Sequence, residues 1–277
     1  MPGDAALRHT VIHEAMASTF KLTLVHADPR YARQAAAALA GELDRIEARL
    51  SRFIESSDVA RINRLDRGQE TRVQSDTFDC LRIALEVERD TNGAFDVAFG
   101  SRGPRPSGPR FELDEAVRAV RVLADGVRLD LGGIGKGFAL DRMAALLADW
   151  DIAAAFLAAS TSTVLAVGTP PGETGWPITF GPERSPRTLR LANRAFSGSG
   201  TAIKGNHIID PRTRQPARGP RRAWAGAPTG AVSDALSTAF MILTEAQTRD
   251  YCRRHPEVSA WWQGADSGEG VIDSAGR

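Results

Sequence analysis

The sequence predicts an α+β fold rather than a doubly wound sheet, and three observations carry that reading. Some segments alternate apolar and polar residues with the two-residue period of a strand, while others space apolar residues three and four apart, as a buried helix stripe does. The two kinds of segment mix without the regular βαβ alternation that builds a parallel sheet. No fixed-period repeat or clear linker interrupts the 277 residues. A single domain over residues 1–264, divisible into two lobes, is therefore expected, with a flexible tail over 265–277.

The elements follow in order. Between Thr10 and Val25 apolar and polar positions alternate, and Phe20, Leu22 and Leu24 share one strand face. Asp28-Pro29 starts a helix, with the carboxylate as cap and proline at the first helical position. Leu39, Leu43, Ile46 and Leu50 form its buried stripe. A second helix begins after Ser75, carries Leu81, Leu85 and Val87, and stops at Asn92-Gly93. Residues 102–110 are rich in Gly, Pro and Ser and read as a loop. Val120 to Leu123, the turn Ala124-Asp125-Gly126, and Val127 to Leu131 read as a hairpin. A helix from Phe138 to Leu147 follows a glycine cluster, and short strand-like segments lie between Ala154 and Phe196. Ser233 to Leu243 reads as a helix, Val258 to Trp262 as a strand, and the last dozen residues as a fraying end.

Composition excludes several classes. With 42% hydrophobic and 25% charged residues and a formal net charge of +1, the chain is neither collagen-like nor disordered. The near-zero charge argues against a nucleic-acid binder, which needs a surplus of Lys and Arg for phosphates. Cys80 and Cys252 lack CxxC spacing and read as two reduced thiols, and no histidine pair shows ligand spacing. The first residues, MPGDAALRHTVIHEAMAS, contain no apolar signal region or lipobox cysteine, and no apolar run is long enough for a membrane span. A cytoplasmic location is the expectation.

Three segments could carry chemistry. Asp130-Leu131-Gly132-Gly133-Ile134-Gly135-Lys136-Gly137 ends a predicted strand, turns through glycines and opens a helix. Glycines admit close backbone approach, a helix N-terminus attracts anions, and the lysine adds a cation, so a phosphate-bearing ligand is physically reasonable. A P-loop would need Gly in place of Asp130 and Ser or Thr in place of Gly137, and the glycine spacing is not GxGxxG, so neither motif applies. Taken alone, the cluster also reads as a tight turn without a ligand. In Asn206-His207-Ile208-Ile209-Asp210-Pro211-Arg212-Thr213 a short strand runs into a turn, with His207 either packed or functional. Asp234 and Thr238 are four apart on one predicted helix and share a face. A carboxylate and a hydroxyl so placed can hold a hard cation such as Mg²⁺; alternatively Asp234 caps the helix.

These segments occur together and in order, and the chain thereby resembles the FAD:protein FMN transferase family, also described as thiamine-biosynthesis lipoproteins. Met16-Ala17-Ser18-Thr19 is similar to the family's Met-Gly-Thr, and Leu50-Ser51-Arg52-Phe53 with Ser57 and Asn63 to its helix-to-loop segment. Gly93-Ala94-Phe95-Asp96 matches Gly-Ala-Phe-Asp, and Asp130 to Gly137 matches DLGGIAKG with Gly135 for Ala. Ser197-Gly198 and His207 to Thr213 resemble SG…HIIDPRTG. The likeness covers roughly the first 245 residues.

The resemblance implies a T-fold-like flavin-transferase architecture of antiparallel sheets with packed helices. It also implies FAD as substrate and Mg²⁺ as the metal. Met16, Ala94, Phe95, Asp96, Asp130 and Lys136 correspond to FAD contacts. Gly133 (through its backbone), Asp234, Ser237 and Thr238 correspond to metal ligands, and His207 to the histidine implicated in transfer. The implied reaction moves FMN from FAD onto a Thr or Ser hydroxyl of an acceptor flavoprotein and releases AMP.

Three departures stand out. Val97-Ala98-Phe99-Gly100 leads into a shorter loop than the family's Pro-Thr-Val-Gly-Pro-Leu connection. Ala159-Ser160-Thr161-Ser162-Thr163 replaces Asn-x-Gly-Gly-Asp, so two glycines and a carboxylate are missing. Arg214 replaces the glycine after Arg-Thr, where a positive φ would favour glycine. Two other readings therefore stay open: a FAD-binding or delivery protein, and a Mg²⁺-dependent FAD pyrophosphatase giving FMN and AMP. Neither the acceptor nor the oligomeric state is readable from the sequence.

Overall fold

The computed structural model describes residues 7–102, 108–182, 185–200, 209–217, 219–264 and 269–272. The chain opens with β1 (Arg8–Ala15), β2 (Ser18–Val25), α1 (Pro29–Leu50) and α2 (Asp58–Ile62). Next come β3 (Glu70–Arg72), α3 (Ser75–Asp90), β4 (Phe111–Asp114), β5 (Ala119–Val122) and α4 (Gly135–Asp149). The strands β6 (Ala155–Ala159), β7 (Thr163–Val167), β8 (Trp176–Phe180), β9 (Arg187–Leu191), β10 (Arg194–Gly200) and β11 (Arg222–Ala227) follow. The chain closes with α5 (Gly230–Ala239), α6 (Glu245–Arg254), β12 (Ser259–Gln263) and β13 (Glu269–Ile272).

The fold is α+β, as the mixed periodicities predict. Its frame is an antiparallel sheet in the order β1-β2-β6-β7-β10-β11-β12-β13. Strand alternation assigns the two faces different jobs. Toward α1, α4 and α5 the sheet presents Leu22, Leu157, Leu165, Ala195, Ala223, Ala225 and Ala227, all buried. The alanines of β10 and β11 leave room for α5 to lie close. The opposite face carries Phe156, Phe196, Trp224 and Trp261, covered by the β8-β9 hairpin through Trp176, Ile178 and Phe180. Alanines under α5 on one face and aromatic rings on the other thus set how closely those covering elements approach.

Several expected elements form with their expected chemistry. Asp28 caps α1 by accepting from Arg30 and Tyr31 backbone N–H groups, and the Leu39, Leu43, Ile46, Leu50 stripe is buried. In α3, Leu81 and Val87 are buried while Leu85 packs at the edge, and Asn92 and Gly93 take positive φ after its end. Cys80 and Cys252 are buried and unpaired with each other.

Other expectations are corrected. Val127 to Leu131 does not pair with β5, which instead lies between β3 and β4. Its backbone groups go elsewhere: the Asn63 amide donates to Leu129 O at 3.0 Å and accepts from Leu129 N at 2.6 Å. Ser101 Oγ accepts from Arg128 N, and Val97 O accepts from Asp130 N. A side chain here satisfies the groups a neighbouring strand would. Helix α4 starts at Gly135 rather than Phe138, and α5 at Gly230 rather than Ser233, so each takes in the glycine that precedes its apolar run. The stretch expected to fray contains β13, whose backbone pairs with β12 from Ala260↔Ile272 to Gln263↔Glu269. Among the described residues, no helix is long and apolar enough to cross a membrane.

Candidate functional site

Two helices meet where the sequence concentrates its glycines. A β-carbon on Gly137 would run into the Gly230 carbonyl, and one on Gly230 into the Gly137 carbonyl, so α4 and α5 cross backbone to backbone. Asp141, one turn further along α4, fixes the start of α5 by accepting from Gly230 N at 2.6 Å and Ala231 N at 2.8 Å. Thr229 is the N-cap residue of α5. The alternative reading of Asp234 as helix cap is thereby corrected, since it lies inside the helix. Burial pushes the Asp141 carboxyl up to about 6, against the lowering effect of these two backbone hydrogen bonds.

Asp234 projects from α5 into this crossing with its side chain only 6% exposed. Oδ1 accepts from the Thr163 hydroxyl at 2.9 Å, Oδ2 accepts from Gly137 N at 3.1 Å, and Lys136 Nζ stands 3.6 Å from Oδ2. A carboxylate offers about four lone-pair sites, so capacity remains after these contacts. One turn on, Thr238 and Ser237 share the hydroxyl of Ser199 from β10, at 3.4 and 2.9 Å. Gly133 closes the group: a β-carbon there would lie 3.5 Å from Thr238 Oγ1 and 3.2 Å from the Phe95 ring. These donors are all hard oxygens, and among the described residues no three of His, Cys, Asp and Glu gather in one place. Such a set suits Mg²⁺, which keeps waters and takes further oxygens from phosphate, and it does not suit zinc.

The remaining predicted residues surround the glycine turn. Met16 and Ala17 both take φ of 52° in the two-residue β1-β2 turn, and the Met16 methyl lies against Gly135. Phe95 is buried, its N–H held by Thr91 Oγ1 at 3.3 Å, and Ala94 before it is wholly buried. Asp96 bends the following turn by accepting from Ala98 N at 2.7 Å. Asp130 accepts from Gly132 N at 2.9 Å and forms an ion pair with Arg52, whose Nε lies 3.2 Å from its other oxygen. The Arg52 guanidinium lies over the Phe53 ring, which is 80% exposed. His207 lies outside the described residues.

Thr163, Ser199 and the Arg52-Phe53 pair are functional candidates that sequence reasoning left unassigned. Phe53 stood in a recognised segment as an apolar residue beside an arginine, the one available signal. Thr163 and Asp234 are 71 positions apart, and nothing local ties them. Arg214 does take a positive φ of 58°, in the turn where Asp210 O accepts from its N–H. A cavity of about 480 Å³ lies elsewhere, lined by Arg82, Asp141, Arg142 and Thr229, and contains none of the predicted ligand residues. Its arginines are already paired, Arg82 with Glu86 and Arg142 with Asp76.

Comparison with known proteins finds the same fold and a family. A FAD:protein FMN transferase from Buchnera aphidicola subsp. Schizaphis graminum is 22% identical over 212 residues, which is 63% of this chain and 62% of that relative's length. The match thus spans less than two thirds of that relative. The flavin transferase ApbE from Vibrio cholerae superposes with a TM-score of 0.83 at 17% identity, over 96% of this chain and 97% of that one. The ApbE protein of Thermotoga maritima gives 0.82 at 23% identity over 97% and 98%. The apo flavinyl transferase ApbE from Pseudomonas stutzeri gives 0.81 at 19% identity over 97% and 95%. These structures share the fold. The ApbE family model matches residues 16–262, and the chain belongs to the ApbE family.

Proposed function

We propose that this protein is a Mg²⁺-dependent transferase that moves FMN from FAD onto a Thr or Ser hydroxyl of an acceptor protein and releases AMP. The observation that carries the reading is the α4-α5 crossing, where Lys136, Asp234 and Thr238 converge on a glycine turn. Backbone without side chains, an ammonium and a hard-oxygen set are what a dinucleotide's diphosphate requires. The names of the related proteins support the same substrate.

In this reading the acceptor oxygen attacks the FMN-side phosphorus of FAD. A new P–O bond forms, the diphosphate bridge breaks, and the bridging oxygen leaves with AMP. His207 takes the acceptor's proton. Lys136 faces the diphosphate, and its reach is fixed by donation to Gly132 O at 3.2 Å. Asp234, Thr238, Ser237 and the Gly133 carbonyl would hold Mg²⁺, which when bound neutralises charge on the diphosphate and its leaving group. Met16 and Phe95 form an apolar wall for the flavin, with Ala94 behind it and Asp96 and Asp130 at its polar edge. Phe53 is an exposed ring at the mouth, able to stack on a flat heterocycle.

The test is mass spectrometry of a reaction containing the protein, FAD, Mg²⁺ and peptides with a central Thr. The expected result is an acceptor carrying FMN mass, lost with EDTA and in His207→Ala. Free FMN without acceptor modification would instead identify a pyrophosphatase, and intact FAD with saturable binding a carrier.

A further inference from the structure

We propose that the cation site of this protein is completed by its substrate, so that the divalent ion binds together with the FAD diphosphate and not to the free protein. The inference rests on the flavin-transferase reading above and concerns this chain's own departure at Thr163.

The position that resembles a carboxylate in the family is here a hydroxyl, and that hydroxyl is wholly buried and points at Asp234. Thr163 Oγ1 donates to Asp234 Oδ1 at 2.9 Å. A donor in that place holds the carboxylate in one orientation but supplies no negative charge. The nearest further carboxylate along α4, Asp141, is turned to the N–H groups of Gly230 and Ala231. Asp234 therefore stands as a single anion, consistent with the lack of any three-residue acidic or histidine cluster among the described residues. Lys136 Nζ sits 3.6 Å from its other oxygen, and both side chains are largely shielded from solvent. The pair is already near neutral, and salt screens it little. A divalent ion arriving alone meets one carboxylate, neutral hydroxyls and an ammonium that repels it. FAD changes that balance. Its diphosphate brings two negative charges and several hard oxygens, attracts Lys136, and supplies ligands that the chain lacks.

Mn²⁺ serves as the probe, titrated by EPR into the free protein and into protein saturated with FAD, without acceptor. FAD is expected to raise Mn²⁺ affinity by roughly ten- to a hundredfold beyond that of Mn²⁺–FAD in buffer. Linkage requires Mn²⁺ to raise FAD affinity, read by flavin fluorescence, by the same factor. Thr163→Asp adds the missing carboxylate and is expected to tighten Mn²⁺ binding to the free protein and shrink the coupling. Lys136→Gln removes the competing ammonium and should also tighten Mn²⁺ binding to the free protein, giving a second route should Thr163→Asp fold poorly. FAD binding with equal Mn²⁺ affinity in its presence and absence would overturn the proposal and leave the flavin reading standing. Failure of FAD to bind, with or without Mn²⁺, would remove both.

Discussion

Asp234 and Asp130 are both acidic residues of the candidate site, yet the fold holds them in opposite ways. The Asp234 side chain is 6% exposed and is gripped by Thr163 from β7, Gly137 from α4 and Lys136. The Asp130 side chain is 45% exposed, and its contact beyond its own turn is the Arg52 guanidinium. The first has its geometry fixed before any ligand arrives, which is what charge stabilisation at a reacting phosphate needs. The second sits on a surface loop beside an exposed ring and can adjust to a bound heterocycle. Under the proposed function, the first side would meet the diphosphate and the second would fit around the rest of the dinucleotide.

The largest break in this contrast is expected at the rigid side. Asp234→Ala should lower FMN transfer by roughly 10²–10³-fold or more, measured as initial rates at saturating Mg²⁺. Asp234→Asn keeps the shape and tests charge alone; a rate near that of the wild type would sink the metal-ligand assignment. Asp141 sharpens the same side through pH. With its carboxyl raised to about 6, the folded protein keeps a proton that the unfolded chain loses nearer pH 4. Stability therefore falls as pH rises through this window and levels off above it. The expected size is on the order of 1–2 kcal/mol, reduced by solvent at its partly exposed edge, and Asp141→Asn should flatten the slope in urea melts.

A pair of glycines compares the two regions directly. Gly137→Ala forces a β-carbon against the Gly230 backbone and should cost about 1–3 kcal/mol as α4 and α5 part. At Gly132 a β-carbon would meet only the Asp130 carboxylate, at 3.1 Å, and that side chain can move. Gly132→Ala should therefore stay within about 0.5 kcal/mol of the wild type in the same denaturation experiment. Equal losses at the two positions would mean that the mouth is as rigid as the crossing.

How much of this was legible in the sequence depended on whether the cause was local. The cap at Asp28, the stripe of α1 and the positive φ expected at Arg214 are all set within a few residues. The glycine turn and the Asp234–Thr238 helix are likewise local signals, and the fold brings them together at Gly133 and Gly137; their reading as a phosphate and cation apparatus belongs to the proposed function. Thr244 and Gln247 form a capping box that marks the start of α6, a local signal present but unread. The stretch from Val127 to Leu131 was misread because its partner is the side chain of Asn63, 66 positions away. Thr163 was read as a lost carboxylate; only the fold shows the hydroxyl turned onto Asp234.

The smallest effect is expected at the mouth. Phe53 is 80% exposed, with the Arg52 guanidinium over its ring, so Phe53→Ala should leave stability within about 0.5 kcal/mol. If the ring stacks on FAD, its loss weakens FAD binding by roughly 3–10-fold, and Phe53→Tyr restores it. Because the contacts that hold Asp234 come from Thr163, Gly137 and Lys136, the Mg²⁺ dependence of the reaction should keep its midpoint. Fluorescence titration with FAD gives the first quantity and a Mg²⁺ titration of rate the second. A change in the Mg²⁺ midpoint would join the two sides into one unit, and unchanged FAD affinity would leave the mouth without a part in recognition.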